Sequence, residues 1–125
     1  MDTSALVGRS ILIVEDEPLV ALDIADGFRK AGASVLTAHQ LKDGMRLAGH
    51  PDLSAAVLDF GLSDGEGTAL CERLNARGIP FILHSGYGQA DEACRHEACR
   101  KGVLIAKPAS PSQLVDTMAR MLTPA

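Results

Sequence analysis

The chain lacks a run of basic residues, a long apolar stretch and a cysteine framework, and each absence removes a class of function. Its 125 residues hold 12 lysines and arginines against 16 aspartates and glutamates, for a net charge of −4. With no basic cluster to screen phosphates, direct contact with nucleic acid is not expected. No segment approaches the roughly 18 uninterrupted apolar residues of a membrane helix, and Met1-Asp2-Thr3-Ser4 does not open a basic and then apolar leader. The expectation is a cytoplasmic protein without a membrane segment. Three cysteines, Cys71, Cys94 and Cys99, cannot all pair with one another, and their spacings match neither CxxC nor a zinc ligand set. They read as ordinary reduced thiols, buried or not, in a reducing compartment.

What is present is the composition of a folded domain, 46% apolar and 22% charged. The length suits one domain over residues 1–125, with a core from about residue 9 to about residue 123. Five short apolar runs recur: Ile11 to Val14, Val35 to Ala38, Ala55 to Leu58, Phe81 to Leu83 and Val103 to Ala106. None alternates apolar with polar, so all five read as strands covered on both faces. Between them lie helical spacings, Val20, Ile24 and Phe28 in one segment, Leu41, Met45 and Ala48 in another. Ser110, Pro111 and Gln113 make a capping box ahead of Leu114, Met118, Met121 and Leu122, so the last helix is predicted to start at Pro111. Gly32 and Gly78 follow helical runs, where glycine ends a helix at little steric cost. The segment Gln89 to Arg100 offers only alanines and cysteines as apolar contacts and reads as a fourth, loosely held helix. The alternation predicts an α/β fold, a doubly wound, five-stranded parallel sheet with five helices on its faces.

Ligands in such sheets collect beyond the carboxyl ends of the strands, where strand order reverses. After the first strand come Glu15, Asp16 and Glu17; Asp59 ends the third, Ser85 follows the fourth, and Lys107 and Pro108 follow the fifth. In the order 2-1-3-4-5 the first and third strands are neighbours about 4.8 Å apart, which brings Asp16 and Asp59 near enough to share a cation. An oxygen-only cluster suits a hard divalent ion, magnesium above all, with manganese as an alternative. Lys107 supplies a mobile point charge and Ser85 a hydroxyl, so a phosphoryl group on Asp59 would find its charge met. Any one of these residues taken alone is an ordinary polar strand end; the agreement of all the strand ends favours chemistry.

Through Ile-Val-Glu-Asp-Glu-Pro at 13–18, Val-Leu-Asp-Phe-Gly-Leu at 57–62 and Ala-Lys-Pro at 106–108, the chain resembles the receiver domains of two-component response regulators. The resemblance spans essentially the whole chain and implies the flavodoxin-like, order 2-1-3-4-5 version of the fold. It implies that Asp59 accepts the phosphoryl group, that Asp16 ligates magnesium directly and Glu15 partly through water, and that Gly61 ligates through its carbonyl. Ser85, followed by Gly86, would be the switch hydroxyl and Lys107 the phosphate-pairing lysine. A histidine kinase or a histidine phosphotransfer protein would be the donor, the acyl phosphate would hydrolyse in the same site, and the product would be a signal rather than a metabolite. Drawing Ser85 inward would bias the fourth helix and fifth strand toward a second packing.

Departures from the family pattern bear on output. Leu104 stands where many receivers carry an aromatic rotamer switch, Ala109 where an aromatic often follows Lys-Pro, and Ser63 where proline is common. Residues 80–88, Pro-Phe-Ile-Leu-His-Ser-Gly-Tyr-Gly, resemble the PFxFATGYG signature of certain single-domain receivers, with His84 for alanine and Ser85 for threonine. Tyr87 and Leu104 fall on the expected output surface. A missing side chain at Gly61 opens the phosphate to water while a ring at Tyr87 closes it, so no lifetime follows. The chain ends soon after the fifth helix, so output is expected through a downstream protein partner or by shuttling phosphate, from a monomer or weak dimer.

Other readings fit less well. His84 beside Ser85 suggests a nucleophile and base, but consecutive strand residues point to opposite faces. His84 reads instead as a strand-end residue under a helix, and His39, His50 and His96 receive no role. A nucleophile elbow lacks its first glycine, and Asp64-Gly65-Glu66-Gly67 is not a Walker loop. A magnesium-dependent phosphohydrolase with Asp59 as nucleophile needs a second aspartate two residues on, where Gly61 stands. A pseudo-receiver that binds partners without phosphorylation needs a lost site residue, and none is lost.

Overall fold

A computed structural model describes residues 2–86 and 95–124. Five parallel strands, β1 (Ser10–Val14), β2 (Ser34–Ala38), β3 (Ala55–Leu58), β4 (Phe81–Ser85) and β5 (Val103–Ala106), form one sheet in the order β2-β1-β3-β4-β5. The helices are α1 (Pro18–Lys30), α2 (Leu41–Leu47), α3 (Thr68–Ala76), α4 (Glu97–Arg100) and α5 (Pro111–Leu122). The predicted fold class and strand order are both found.

The central strands of the sheet are apolar toward both faces. Ile11, Ile13, Val57 and Ile82 pack against Ile24, Phe28, Leu114 and Met118 of α1 and α5. Leu12, Val14, Leu58 and Leu83 face the other way, with Leu70, Cys71 and Leu74 of α3. The reading of all strands as covered on both faces holds for β1, β3 and β4, but not for β2 or β5. Those two carry intermediate and exposed residues, with Val103 and Leu104 more than a third exposed. Each is an edge strand with a neighbour on one side only, so part of its surface stays open.

Helix ends follow the sequence. Ser110 Oγ accepts a hydrogen bond from the Gln113 amide at 3.2 Å, and Pro111 takes the first helical position of α5. Gly32 and Gly78 both adopt positive φ where α1 and α3 stop. The fourth helix is corrected. Among the described residues it covers only Glu97–Arg100, with His96 as an extended N-cap, because Arg95 and His96 have left the helical path. Most of the predicted segment, along with Tyr87, lies outside the described residues.

Pairing carries the strand ends into alignment. Val14 is opposite Leu58, and Leu58 is opposite Leu83. The ladder then continues one step: the Glu15 amide donates to the Ala38 carbonyl and the Asp59 amide to the Val14 carbonyl, both at 2.9 Å, and the Lys107 amide donates to the Ser85 carbonyl at 2.8 Å. The residues that follow the apolar runs are therefore anchored by backbone bonds, not left on mobile loops.

Candidate functional site

Carboxylate oxygens of Glu15, Asp16 and Asp59 lie within 4.8 Å of one another at the carboxyl edge of β1 and β3. Glu15 is 2% exposed and Asp59 4%. Lys107 reaches in from the end of β5, its Nζ 3.0 Å from Asp59 Oδ2 and 3.1 and 3.2 Å from the two Glu15 oxygens. Behind Asp59 the chain turns into a two-residue antiparallel ribbon, Gly61–Leu62 with Gly65–Glu66. The Gly61 amide donates to Asp59 Oδ1 at 3.3 Å, steadying the carboxylate from its own loop.

Electrostatics follow from burial. Removal from water, reinforced by Asp59 alongside, pushes the Glu15 carboxyl up to about 7, more than Lys107 can offset. Burial alone would weaken the Lys107 ammonium, but its hydrogen bonds and charge pairing with Asp59 and Glu15 outweigh that and raise it. One ammonium against two buried carboxylates leaves negative charge in excess, and that excess together with an all-oxygen donor set fits a hard divalent cation.

Ser85, the last residue of β4, is fully buried, and its hydroxyl has no hydrogen-bond partner among the described residues. A buried hydroxyl without a partner is held at a cost in free energy, and such groups in native folds ask for a role. His84 is 4% exposed, and both of its ring nitrogens are likewise without partners. It lines a cavity of about 270 Å³ with Glu15, Val20, Lys107 and Pro111, under α1 and the start of α5. Burial, and then the charge on Lys107, hold its imidazole below the usual range, with Asp59 pulling the other way.

The structure thus gathers Glu15, Asp16, Asp59, Gly61 and Lys107. Leu104 lies on β5, on the exposed edge of the sheet, away from this cluster. Sequence reasoning missed two supports. His39 Nδ1 sits 3.0 Å from the Glu15 carbonyl, and since a carbonyl only accepts, that nitrogen carries the proton. Its signal was available: Val14 pairs with Ala38, so the next residues, Glu15 and His39, fall side by side. Asp64 in the ribbon turn accepts from the amides of Leu41 and Lys42 at 2.7 and 3.2 Å, capping α2 from a distant segment. No local pattern announces that bond.

A family model for the response regulator receiver domain matches residues 11–119. The chain belongs to that family. The receiver is 30% identical over 111 residues to the acid tolerance regulatory protein ActR of Rhizobium meliloti, covering 86% of this chain and 56% of ActR. It is 31% identical over 123 residues to the phosphate regulon transcriptional regulatory protein PhoB of Pseudomonas aeruginosa, covering 94% of this chain and 53% of PhoB. It spans a little over half the length of these curated relatives. A CheY-like receiver domain from Methanospirillum hungatei superposes with a TM-score of 0.83 at 24% identity, covering 92% of this chain and 94% of the other. At that identity the likeness speaks for the fold of the receiver, which is the one described above. No helix among the described residues is long and apolar enough to cross a membrane.

Proposed function

We propose that this receiver takes a phosphoryl group from a histidine kinase or a histidine phosphotransfer protein onto Asp59 and passes the signal on by protein contact or phosphate shuttling. The observation that carries the reading is the Lys107 ammonium held against Asp59 and Glu15 in a pocket with a third carboxylate, Asp16. Glu15, Asp16, Asp59 and the Gly61 carbonyl are the groups suited to hold Mg²⁺, or Mn²⁺ in its place; the ion supplies charge neutralisation for the incoming phosphoryl oxygens.

The remaining work falls to the chain itself. Asp59 Oδ1 is oriented by the Gly61 amide, leaving Oδ2 on the Lys107 side as the attacking oxygen. As the phosphorus–nitrogen bond of the donor breaks and the phosphorus–oxygen bond forms, Lys107 stays within reach of the new oxygens as a point charge. Ser85 offers a hydroxyl donor without a partner among the described residues, and its movement toward the phosphoryl group would pull on the β4 end. With no general acid two residues beyond Asp59, where Gly61 stands, turnover of phosphate monoesters is not supported.

Incubation with acetyl phosphate and Mg²⁺ should add one phosphate to the intact protein, seen as a mass gain that is labile to alkali and absent in Asp59→Asn. Phosphate on Ser85, or no gain with any small donor or kinase, would remove this reading in favour of a pseudo-receiver.

A further inference from the structure

Cys71 and Cys99 are 28 residues apart in the chain, yet the Cys99 thiol donates to Cys71 Sγ at 3.2 Å. Both are buried, Cys71 on the inner face of α3 with Leu70 and Leu74, and Cys99 as the buried side chain of α4. Their alignment has independent support. One turn further along α3, Asn75 Nδ2 donates to the Ala98 carbonyl at 2.8 Å, fixing α4 against α3 beside the sulfur pair. Bringing two sulfurs from 3.2 Å to the roughly 2.05 Å of a disulfide needs a shift of little more than 1 Å.

We propose that Cys71 and Cys99 form a reversible intramolecular disulfide, an oxidative modification site that takes a peroxide as its oxidant. It sits on the α3–α4 side of the sheet and uses none of the residues that hold Asp59.

The order of events follows from burial. Removal from water, with Cys99 alongside, pushes the Cys71 thiol far up, so it is a poor first nucleophile. Cys99 rides on a helix of four residues with little apolar surface of its own, and local opening there exposes it first. The Cys99 thiolate attacks a peroxide oxygen, the O–O bond breaks, and the departing hydroxide takes a proton to become water, leaving a sulfenic acid. When α4 closes again, the Cys71 sulfur attacks the sulfenic sulfur; hydroxide leaves and carries off the Cys71 proton as a second water. Two thiols are oxidised by two electrons and one peroxide is reduced to two waters. A thiol reductant reverses the bond by exchange. The crosslink staples α4 to α3, and α4 leads directly through Gly102 into β5, the strand that presents Lys107.

The test is to treat the reduced full chain with hydrogen peroxide and measure intact mass, tryptic peptides without reduction, and melting temperature. A loss of about 2 Da should appear, with the peptide Leu47–Arg73 joined to His96–Arg100, a melting temperature higher by roughly 5–15 °C, and full reversal by dithiothreitol. Cys94→Ser should behave as the natural chain does. Should that variant fold poorly, the peptide map of the natural chain decides alone. A linkage through Cys94, oxygen added to single cysteines without a crosslink, or thiols that stay reduced under excess peroxide would each overturn the proposal.

Discussion

Glu15 and Asp59 share one ammonium. Lys107 Nζ lies 3.0 Å from Asp59 and 3.1 Å from Glu15, although Glu15 and Lys107 are 92 residues apart. A single positive charge between two carboxylates that are almost wholly removed from water cannot neutralise both, and the behaviour of the pocket follows from that imbalance.

Glu15 should make stability depend on pH in an unusual direction. Its carboxyl is raised from 4.5 to about 7 in the fold, so the folded state holds the proton more tightly than the unfolded chain does. This contribution is fully present below pH 4.5 and is lost as pH rises through about 7. In chelator, the stability of the natural chain relative to Glu15→Gln should therefore fall by on the order of 2 kcal/mol between those limits, read from urea melts. Magnesium should blunt the fall, because it favours the ionised carboxyl. A difference that stays level across the window contradicts the burial argument.

Lys107→Met leaves both carboxylates buried without their cation. The side chain is about a quarter exposed, so the loss should be smaller than for a fully buried pair, roughly 1–3 kcal/mol at pH 8 without divalent ions. It should shrink at pH 5, where Glu15 can take up a proton, and shrink again when Mg²⁺ is added at pH 8. An equal loss under all these conditions would mean that Lys107 acts through packing of its methylenes and not through charge.

Ser85→Ala should separate stability from function. Removing a fully buried hydroxyl that has no partner among the described residues should leave stability unchanged or raise it by up to about 1 kcal/mol. The same change should slow the gain of phosphate from acetyl phosphate several-fold, or shorten the life of the product. A melting temperature lowered by several degrees would show that the hydroxyl is satisfied in the fold.

Gly102→Ala tests how tightly β5 is seated. A Cβ there would stand 2.3 and 2.6 Å from ring carbons of Phe81, which is 1% exposed, so the ring or the backbone must shift to admit it. Destabilisation of roughly 1–3 kcal/mol is expected from the overpacking, visible as a lower urea midpoint at unchanged slope. A neutral result would indicate that Phe81 repacks freely.

Much of this was legible in advance because it is local. Unbroken apolar runs mark the central strands, since a strand buried on both faces has no polar side to show. Ser110 and Pro111 start α5 where they should, because a cap needs only its own neighbours. The edge strands β2 and β5 misled for the same reason: β5 is as unbroken an apolar run as β1, β2 is interrupted only by Thr37, and such short runs do not tell which strand will have a second neighbour. The fourth helix misled at Arg95 and His96, where ordinary helix-compatible residues depart from the helix.

Taken alone, the sequence determined the sheet class, the order of elements and the placing of Glu15, Asp16, Asp59, Ser85 and Lys107 at strand ends, since periodicity and punctuation act over a few residues. Tertiary structure decided that Lys107 serves Glu15 as well as Asp59, that His39 and Asp64 brace distant segments, and that two cysteines on separate helices touch. Those outcomes depend on through-space distance and on how much water is excluded, and neither quantity is written in the order of residues along a chain.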